Sequence, residues 1–349
     1  MKNNKIGNGR VLCITEQYCL IYKNGYLNLF DNNVLSDRKS IGDWKNKLTL
    51  LSRLMRLEPR CATMISEHEC LLSYNGAVYL YDFEYKTFKQ EHQFDRGMKN
   101  PLSFCKVLDC NGMVKIYYGE YIWNKNKGPV AIYRRDNDGW EKVFEFSEVL
   151  VTHIHNIVYD EYRNRFYILT GDSDEESGIW IADIEFKNVK LLIGGKQEFR
   201  SCVAFPAEDG LIFATDTPLE TNYLSLIRIK NDKVKKVERL CSLPGSCIYG
   251  EVVGSKCYIS TTVEPDSSLP TWWYRLTYRL GKGIKDRYSH VYEIDNNCRV
   301  NEIYKQRKDF MPLWLFQFGN ILFPYNETKK LYIVTQSLKG GHGKTIELK

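Results

Sequence analysis

One unit recurs along this chain. It consists of a short alternating strand, a Gly/Asn/Asp turn, a second strand, a short loop, a strand carrying an aromatic, then an Asp or Asn and a ragged last strand. YCLIYKNGYLNLFDNN from Tyr18, HECLLSYNGAVYLYDFEYKTF from His68 and GPVAIYRRDNDGWEKVFEF from Gly128 are three copies. SGIWIADIEFKNVKLL from Ser177, YLSLIRIKNDKVKKVERL from Tyr223 and SHVYEIDNNCRVNEIYK from Ser289 are three more. Alternation with period two, bounded by turn residues, is a strand signal, and almost no helical period competes with it. First strands are expected near Val11, Arg60, Ser103, His153, Arg200, Ile248 and Leu313. Their spacing of roughly 43 to 50 residues, with one gap near 65, is that of four-stranded propeller blades. A lone blade would expose two apolar faces, so the repeat makes sense only if blades stack.

Seven starts predict an all-β, seven-bladed β-propeller over 1–349, read as a single domain with an aromatic and basic insertion at about 265–289. Six blades is the alternative, if the N-terminal strands and the C-terminal SLKGGHGKTIELK complete one blade together. A sandwich would not repeat one motif at so even a period. The 24 Tyr and 16 Phe suit pleated surfaces, and 43% hydrophobic with 26% charged residues argues against disorder.

Several function classes lose support at this level. A formal charge of +6 permits an anionic partner, but no block of like charges forms a nucleic-acid arm. There is no GxGxxG after a strand, no P-loop and no GxSxG, so dinucleotide, nucleoside-triphosphate and serine-hydrolase chemistry has nothing to rest on. The 11 cysteines show no CxxC and sit in apolar runs such as VLCI, SFCKV and SKCYI, as small buried residues of a reducing compartment would. MKNNKIGNGRVLC lacks a signal-peptide core and no apolar run nears the roughly 20 residues of a membrane helix, so a cytoplasmic location is expected.

DNDGW, Asp136 to Trp140, resembles a degenerate Asp-box turn (Ser-x-Asp-x-Gly-x-x-Trp) of sialidase-like propellers, without the usual spacing before Trp. SGIWIADIEF sits at the equivalent place without the glycine turn. The His-x-His strand, TGDSDEESGIW and GGKQEFR are similar to bacterial sialidase-like repeat proteins, best from Thr152 to Asn222. The resemblance implies a propeller and, by analogy, glycan work. The Arg-Ile-Pro motif of sialidases is absent, so their arginine triad is not carried over.

In a propeller blade the start of the first strand and the loop between the second and third strands open on one face. Strand starts then contribute Arg60, Ser103, His153, His155, Arg200, Tyr249, Glu251 and Trp314. Second-to-third loops contribute Asn75, Glu120, Trp123, Asp172, Asp174, Glu175, Asp216, Glu220, Asn222, Glu264, Lys339 and His342. Such a mouth suits a sugar, whose hydroxyls need paired donors and acceptors and whose ring face needs an aromatic.

His153 and His155, at i and i+2, point to one side of a strand. His155 is the expected general acid/base, because imidazole titrates nearest neutral pH. Asp172 and Asp216, each ending an apolar strand, are the expected partner carboxylates, with Glu251 a further catalytic candidate. Arg60 and Arg200 suit the carboxylate of an acidic sugar or a phosphate. His153, Tyr249, Asn222, Trp272 and Trp273 complete the expected substrate contacts. The histidine pair is also compatible with a divalent ion, but the sequence does not fix a third ligand among His68, His342, Gln197 and Asp172. No metal or other cofactor is therefore assigned. Each of these residues has a plainer reading, as an ion pair, a solvated loop or a hydrogen-bonded channel group.

The insertion sets Arg275, Arg279, Lys282, Lys285 and Arg287 beside Trp272, Trp273, Tyr274 and Tyr278. It reads as a lid, as a surface for anionic head groups of a lipid-linked glycan, or as a long exposed hairpin. The expected function is action on an acidic glycan, by hydrolysis, elimination or transfer. The alternative is a propeller that binds a glycan or protein partner without catalysis. No nucleic-acid partner and no membrane span are expected, peripheral membrane contact is left open, and the oligomeric state is not legible.

Overall fold

The computed structural model describes residues 4–5, 9–95, 97–124, 126–137 and 139–349. The chain is all-β, and the described strands form seven blades of a β-propeller, each of four strands except that Tyr325–Asn326 adds a short fifth strand to blade 1. Blade 1 runs through Arg10–Ile14, Tyr18–Lys23, Tyr26–Asp31 and Val34–Ser40, and blade 2 through Ala62–Met64, Glu69–Tyr74, Ala77–Asp82 and Thr87–Gln93. Blade 3 holds Cys105–Leu108, Val114–Gly119, Val130–Asp136 and Gly139–Phe146. Blade 4 holds Ile154–Asp160, Arg165–Thr170, Gly178–Asp183 and Val189–Gly194. Blade 5 holds Ser201–Ala207, Gly210–Thr215, Asn222–Lys230 and Lys233–Leu243, and blade 6 holds Cys247–Val253, Lys256–Thr261, Tyr288–Ile294 and Val300–Arg307. Blade 7 combines Asn320–Leu322, Leu331–Gln336 and Lys344–Leu348 with Asn4–Lys5, which pairs antiparallel with Ile346 and Glu347. Both ends of the chain thus share a blade, yet the count is seven because Arg10–Ser40 forms a complete blade of its own.

The last first strand starts at Asn320, not near Leu313. The apolar run at Leu313 is instead a turn, closed by Phe316 N–H donating to Pro312 O at 3.2 Å and Gln317 N–H to Trp314 O at 3.3 Å. Trp314 is covered by two guanidinium groups, those of Arg56 at 4.8 Å and Arg275 at 5.0 Å. An apolar pentapeptide buried by cations has no period with which to announce that it is not a strand.

Two compact units make up the chain. One comprises Arg60–Asp216 and Tyr223–Arg239 and carries blades 2, 3 and 4 with most of blade 5. The other comprises the chain to Pro59, Thr217–Asn222 and Leu240–Lys349, with blades 1, 6 and 7. Blade stacking in the Arg60 unit is visible in RFYILT, Arg165–Thr170, which is buried at every position. Phe166 and Ile168 pack with Tyr117, Val130 and Ile132 of blade 3. Tyr167 and Leu169 pack with Leu211, Phe213 and Ile227 of blade 5. Alternate side chains therefore enter two cores, which is why a second strand reads as a continuous apolar run. In the other unit Val291 of blade 6 packs with Ile321 and Ile333 of blade 7, and Val11 and Ile21 of blade 1 with Tyr332.

The blades share one irregularity that alternation did not foresee. The first strand of four blades slips register near its start, between Val11 and Cys13, Ile154 and Asn156, Ser201 and Val203, and Cys247 and Tyr249. The residues left without a ladder partner are Leu12, His155, Cys202 and Ile248. Bulges release a side chain from strict up-and-down alternation and often border functional sites.

The insertion lies in the second-to-third loop of blade 6, between Lys256–Thr261 and Tyr288–Ile294, and contains the short helix Thr271–Leu276. DNDGW forms the turn between the third and fourth strands of blade 3, with Asp136 opposite Gly139. Asp138 of that turn lies outside the described residues. Among the described residues no helix is long and apolar enough to cross a membrane.

Candidate functional site in the Arg60 unit

Blades 4 and 5 bring His153, His155, Asp172, Arg200 and Asp216 together. His153 precedes the first strand of blade 4 and His155 is its bulged residue. The bulge turns both rings to one place, Nε2 to Nε2 at 2.9 Å, with centroids 4.9 Å apart. Both are buried, 5% and 3% exposed. Nδ1 of His155 faces the Ser201 carbonyl at 3.0 Å. A carbonyl only accepts, so Nδ1 carries the proton and the neutral ring presents a lone pair at Nε2.

Asp172 opens the second-to-third loop of blade 4. Its carboxylate lies 3.5 Å from His153 Nε2 and 3.7 Å from His155 Nε2, and its side chain is 46% exposed, making it the solvent-facing member. Arg200, at the start of blade 5, sets one terminal nitrogen 2.8 Å from Asp172 Oδ1 and 3.6 Å from Asp216 Oδ2. Its other terminal nitrogen donates to the Asp172 main-chain carbonyl at 3.2 Å, and Gln197 Nε2 donates to the same oxygen at 3.0 Å. Cys202, the bulged residue of blade 5, donates its thiol to Asp216 at 3.3 Å.

These contacts set the charge states. Burial works to raise the Asp172 carboxyl, but His155, Arg200 and His153 together outweigh it and hold the group well below the usual carboxylate range. His153 is pushed down to about 3, first by burial and then by its neighbour His155, against the pull of Asp172. Burial, reinforced by Asp216, keeps the Cys202 thiol protonated. At neutral pH the cluster therefore holds ionised Asp172, neutral His153 and a guanidinium already engaged by carboxylates.

The sequence reading passed over Tyr121. Its ring lies 4.5 Å from His153 and 6.4 Å from His155, and the Arg60 guanidinium lies 5.9 Å from its centroid. Tyr121 follows Glu120 in a loop already singled out, so position could have found it; no chemical motif could. The acidic loop after Asp172 divides. Glu176 is buried, accepting from Thr152 Oγ1 at 2.5 Å and paired with Lys127 at 2.5 Å, a structural arrangement. Glu120 is likewise used locally, accepting the Ala131 N–H at 2.7 Å.

Asn222, Tyr249, Glu251, Trp272, Trp273 and His342 belong to the other unit. Asn222 is fully buried and uses both ends of its amide on Thr217, N–H to Oδ1 at 2.9 Å and Nδ2 to the carbonyl at 2.7 Å, closing its own turn. Tyr249 and Glu251 lie in the first strand of blade 6, where burial pushes the Glu251 carboxyl up to about 7. Trp272 and Trp273 stack on each other at 4.0 Å on the inserted helix and remain 59% and 53% exposed. His342 is bound to Glu58 at 2.7 Å. Of the four residues considered as a third metal ligand, the structure brings the Asp172 carboxylate to the histidine pair. The donor sets able to hold an ion, among the described residues, are His153–His155–Asp172 and His155–Cys202–Asp216.

No known family matches this sequence and no curated protein does. Solved structures do. Oligogalacturonate lyase from Vibrio parahaemolyticus is similar with a TM-score of 0.57 at 10% identity, covering 97% of this chain and 90% of that one. The AfRom2 CNH domain gives 0.56 at 9% identity, covering 100% and 99%. A chain of the mitotic checkpoint complex gives 0.56 at 7% identity, covering 100% and 93%. At such identities the likeness establishes the fold alone.

Proposed function

We propose that this protein acts on an acidic glycan, with its chemistry at the His153–His155–Asp172–Arg200–Asp216 cluster. The observation that carries the reading is the convergence of two imidazoles, two carboxylates and a guanidinium from two neighbouring blades, with one carboxylate open to solvent. A scaffold has no need of that set. The fold likeness to a lyase whose name specifies an acidic sugar polymer is consistent with it. Asp172 is the group a substrate meets first, and in its ionised form it stabilises positive charge on the pair behind it. His155 Nε2 takes or returns the proton. Arg60, across Tyr121 from the pair, is the proposed anchor for a substrate anion. A cytoplasmic location belongs to the same reading.

The test is a panel of charged and neutral oligosaccharides followed by mass spectrometry. Turnover of a uronate-bearing member, lost in His155→Ala and weakened mainly in KM by Arg60→Ala, is the expected result. Undiminished turnover in His155→Ala would remove that residue from its role.

One observation favours the alternative of binding without catalysis. In the other unit Tyr278, Arg287, Arg307, Phe310, Lys339 and the Lys308–Asp309 ion pair line a cavity of about 720 Å³, with Phe310 80% and Tyr278 47% exposed. Cations around exposed rings suit an anionic sugar. Tight, salt-sensitive binding lost in Arg307→Glu, with no turnover anywhere in the panel, would establish that reading instead.

A further inference from the structure

We propose that His153 Nε2, His155 Nε2 and Asp172 Oδ2 form a binding site for one divalent first-row transition ion. The inference stands on the shape of the cluster and not on the glycan reading, and with an ion bound His155 Nε2 is a ligand in place of the acid/base of that reading.

The two Nε2 atoms are 2.9 Å apart. Two nitrogens each about 2.1 Å from one ion and at a right angle to each other would lie about 3.0 Å apart. The third donor is the Asp172 carboxylate, whose Oδ2 stands 3.5 Å from His153 Nε2 and whose Oδ1 stands 3.7 Å from His155 Nε2. Two imidazole nitrogens and a carboxylate whose donor atoms all lie within 4.8 Å of one another match a facial two-histidine, one-carboxylate ligand set. A third face of such an ion would stay open toward the exposed side of Asp172.

The surrounding contacts are those that hold ligands in place. Ser201 fixes the tautomer of His155, so its Nε2 accepts the His153 Nε2–H, and an ion at this point would take the place of that proton. Asp172 divides its carboxylate, giving Oδ1 to Arg200 at 2.8 Å while Oδ2 faces His153. Gln197 and Arg200 pin the Asp172 main chain from the other side. Two buried polar atoms at the cluster, His153 Nδ1 and Gln197 Oε1, have no hydrogen-bond partner among the described residues. The rival donor set shares His155 but needs Cys202, whose thiol is already donated to Asp216. Imidazole donors suit zinc, copper, iron or nickel, whereas magnesium, calcium and manganese favour oxygen donors.

The experiment uses the full chain, stripped with a chelator and shown folded by circular dichroism. It is titrated separately with Zn²⁺, Co²⁺, Mn²⁺ and Mg²⁺ with no sugar present, so failure of the glycan reading does not affect it. Calorimetry and elemental analysis should give one equivalent of Zn²⁺ or Co²⁺ and none of Mg²⁺. The Co²⁺ form should show visible absorption bands of imidazole ligation. Asp172→Asn, at a half-exposed position, should weaken binding at least about 10-fold while leaving the fold intact. His153→Ala should do the same, and Cys202→Ser should leave affinity unchanged. Binding of less than about a tenth of an equivalent by folded wild type overturns the proposal. So does a full equivalent that survives both Asp172→Asn and His153→Ala, or one that is lost in Cys202→Ser while Asp172→Asn retains it.

Discussion

Asp172 and Arg200 are joined twice. One terminal guanidinium nitrogen meets the Asp172 carboxylate at 2.8 Å, and the other donates to the Asp172 main-chain carbonyl at 3.2 Å. The same arginine reaches Asp216 at 3.6 Å, so a single side chain fixes the loop of blade 4 to the strand start of blade 5. Replacing it by Met leaves Asp216, 5% exposed, without its counter-charge. Asp172 is half open to water and contributes less. Arg200→Met should cost about 2 to 3 kcal/mol by urea denaturation. Arg200→Lys should recover little of that, because an ammonium cannot bond a carbonyl and two carboxylates from a planar fork.

Gly171 sets up this contact. Its φ is +154°, and an added Cβ would lie 3.1 Å from Ser177 Oγ and 3.2 Å from Arg200 Cγ. Gly171→Ala should therefore destabilise by about 1 to 3 kcal/mol and displace Asp172. Thermal unfolding would register the first effect. Loss of turnover or of Co²⁺ absorption beyond what the stability change explains would register the second.

Glu251 gives a pH signature of one sign. Burial raises its carboxyl from 4.5 to about 7 in the folded chain. Below about pH 4.5 both states are protonated and nothing is lost. As pH rises toward 7 the unfolded chain ionises while the folded one does not, so stability falls by up to about 3 kcal/mol. Glu251→Gln should be more stable than wild type at pH 8 and equal to it near pH 4. Equal stability at both values would refute the burial assignment.

Glu58 gives the opposite sign. Burial opposes its ionisation, but His342 at 2.7 Å and Arg10 at 3.5 Å outweigh it and lower the carboxyl. The resulting stability is present above pH 4.5 and is lost as pH falls through the folded value. Glu58→Gln should cost on the order of 3 kcal/mol at pH 7, and the gap to wild type should close in acid. Guanidinium titrations at several pH values measure both limbs.

Much of this was legible in the sequence, for identifiable reasons. Period-two alternation and Asn-Gly turns gave six of the blade starts within two residues, because each blade meets the same demand to bury two faces. The start near Leu313 misled because an apolar run under two arginines resembles a strand in composition. The convergence of His153, His155, Asp172, Arg200 and Asp216 followed from placing strand starts and loops on one face. What could not be read was how each side chain is engaged. Nothing in TDTPLETN says that Asn222 closes its own turn on Thr217. Nothing in THIHN says that the strand bulges at His155, since a bulge depends on the partner strand and not on local propensity.

That bulge has a consequence for how such a chain can change. The same slot holds Leu12 and Ile248 in blades 1 and 6, and His155 and Cys202 in blades 4 and 5. Its occupant has no ladder partner, so exchanging an aliphatic group for a donor there leaves the strand pairing untouched. The slot works as an interchangeable socket, in which a repeat can gain or shed chemistry while its architecture is inherited whole.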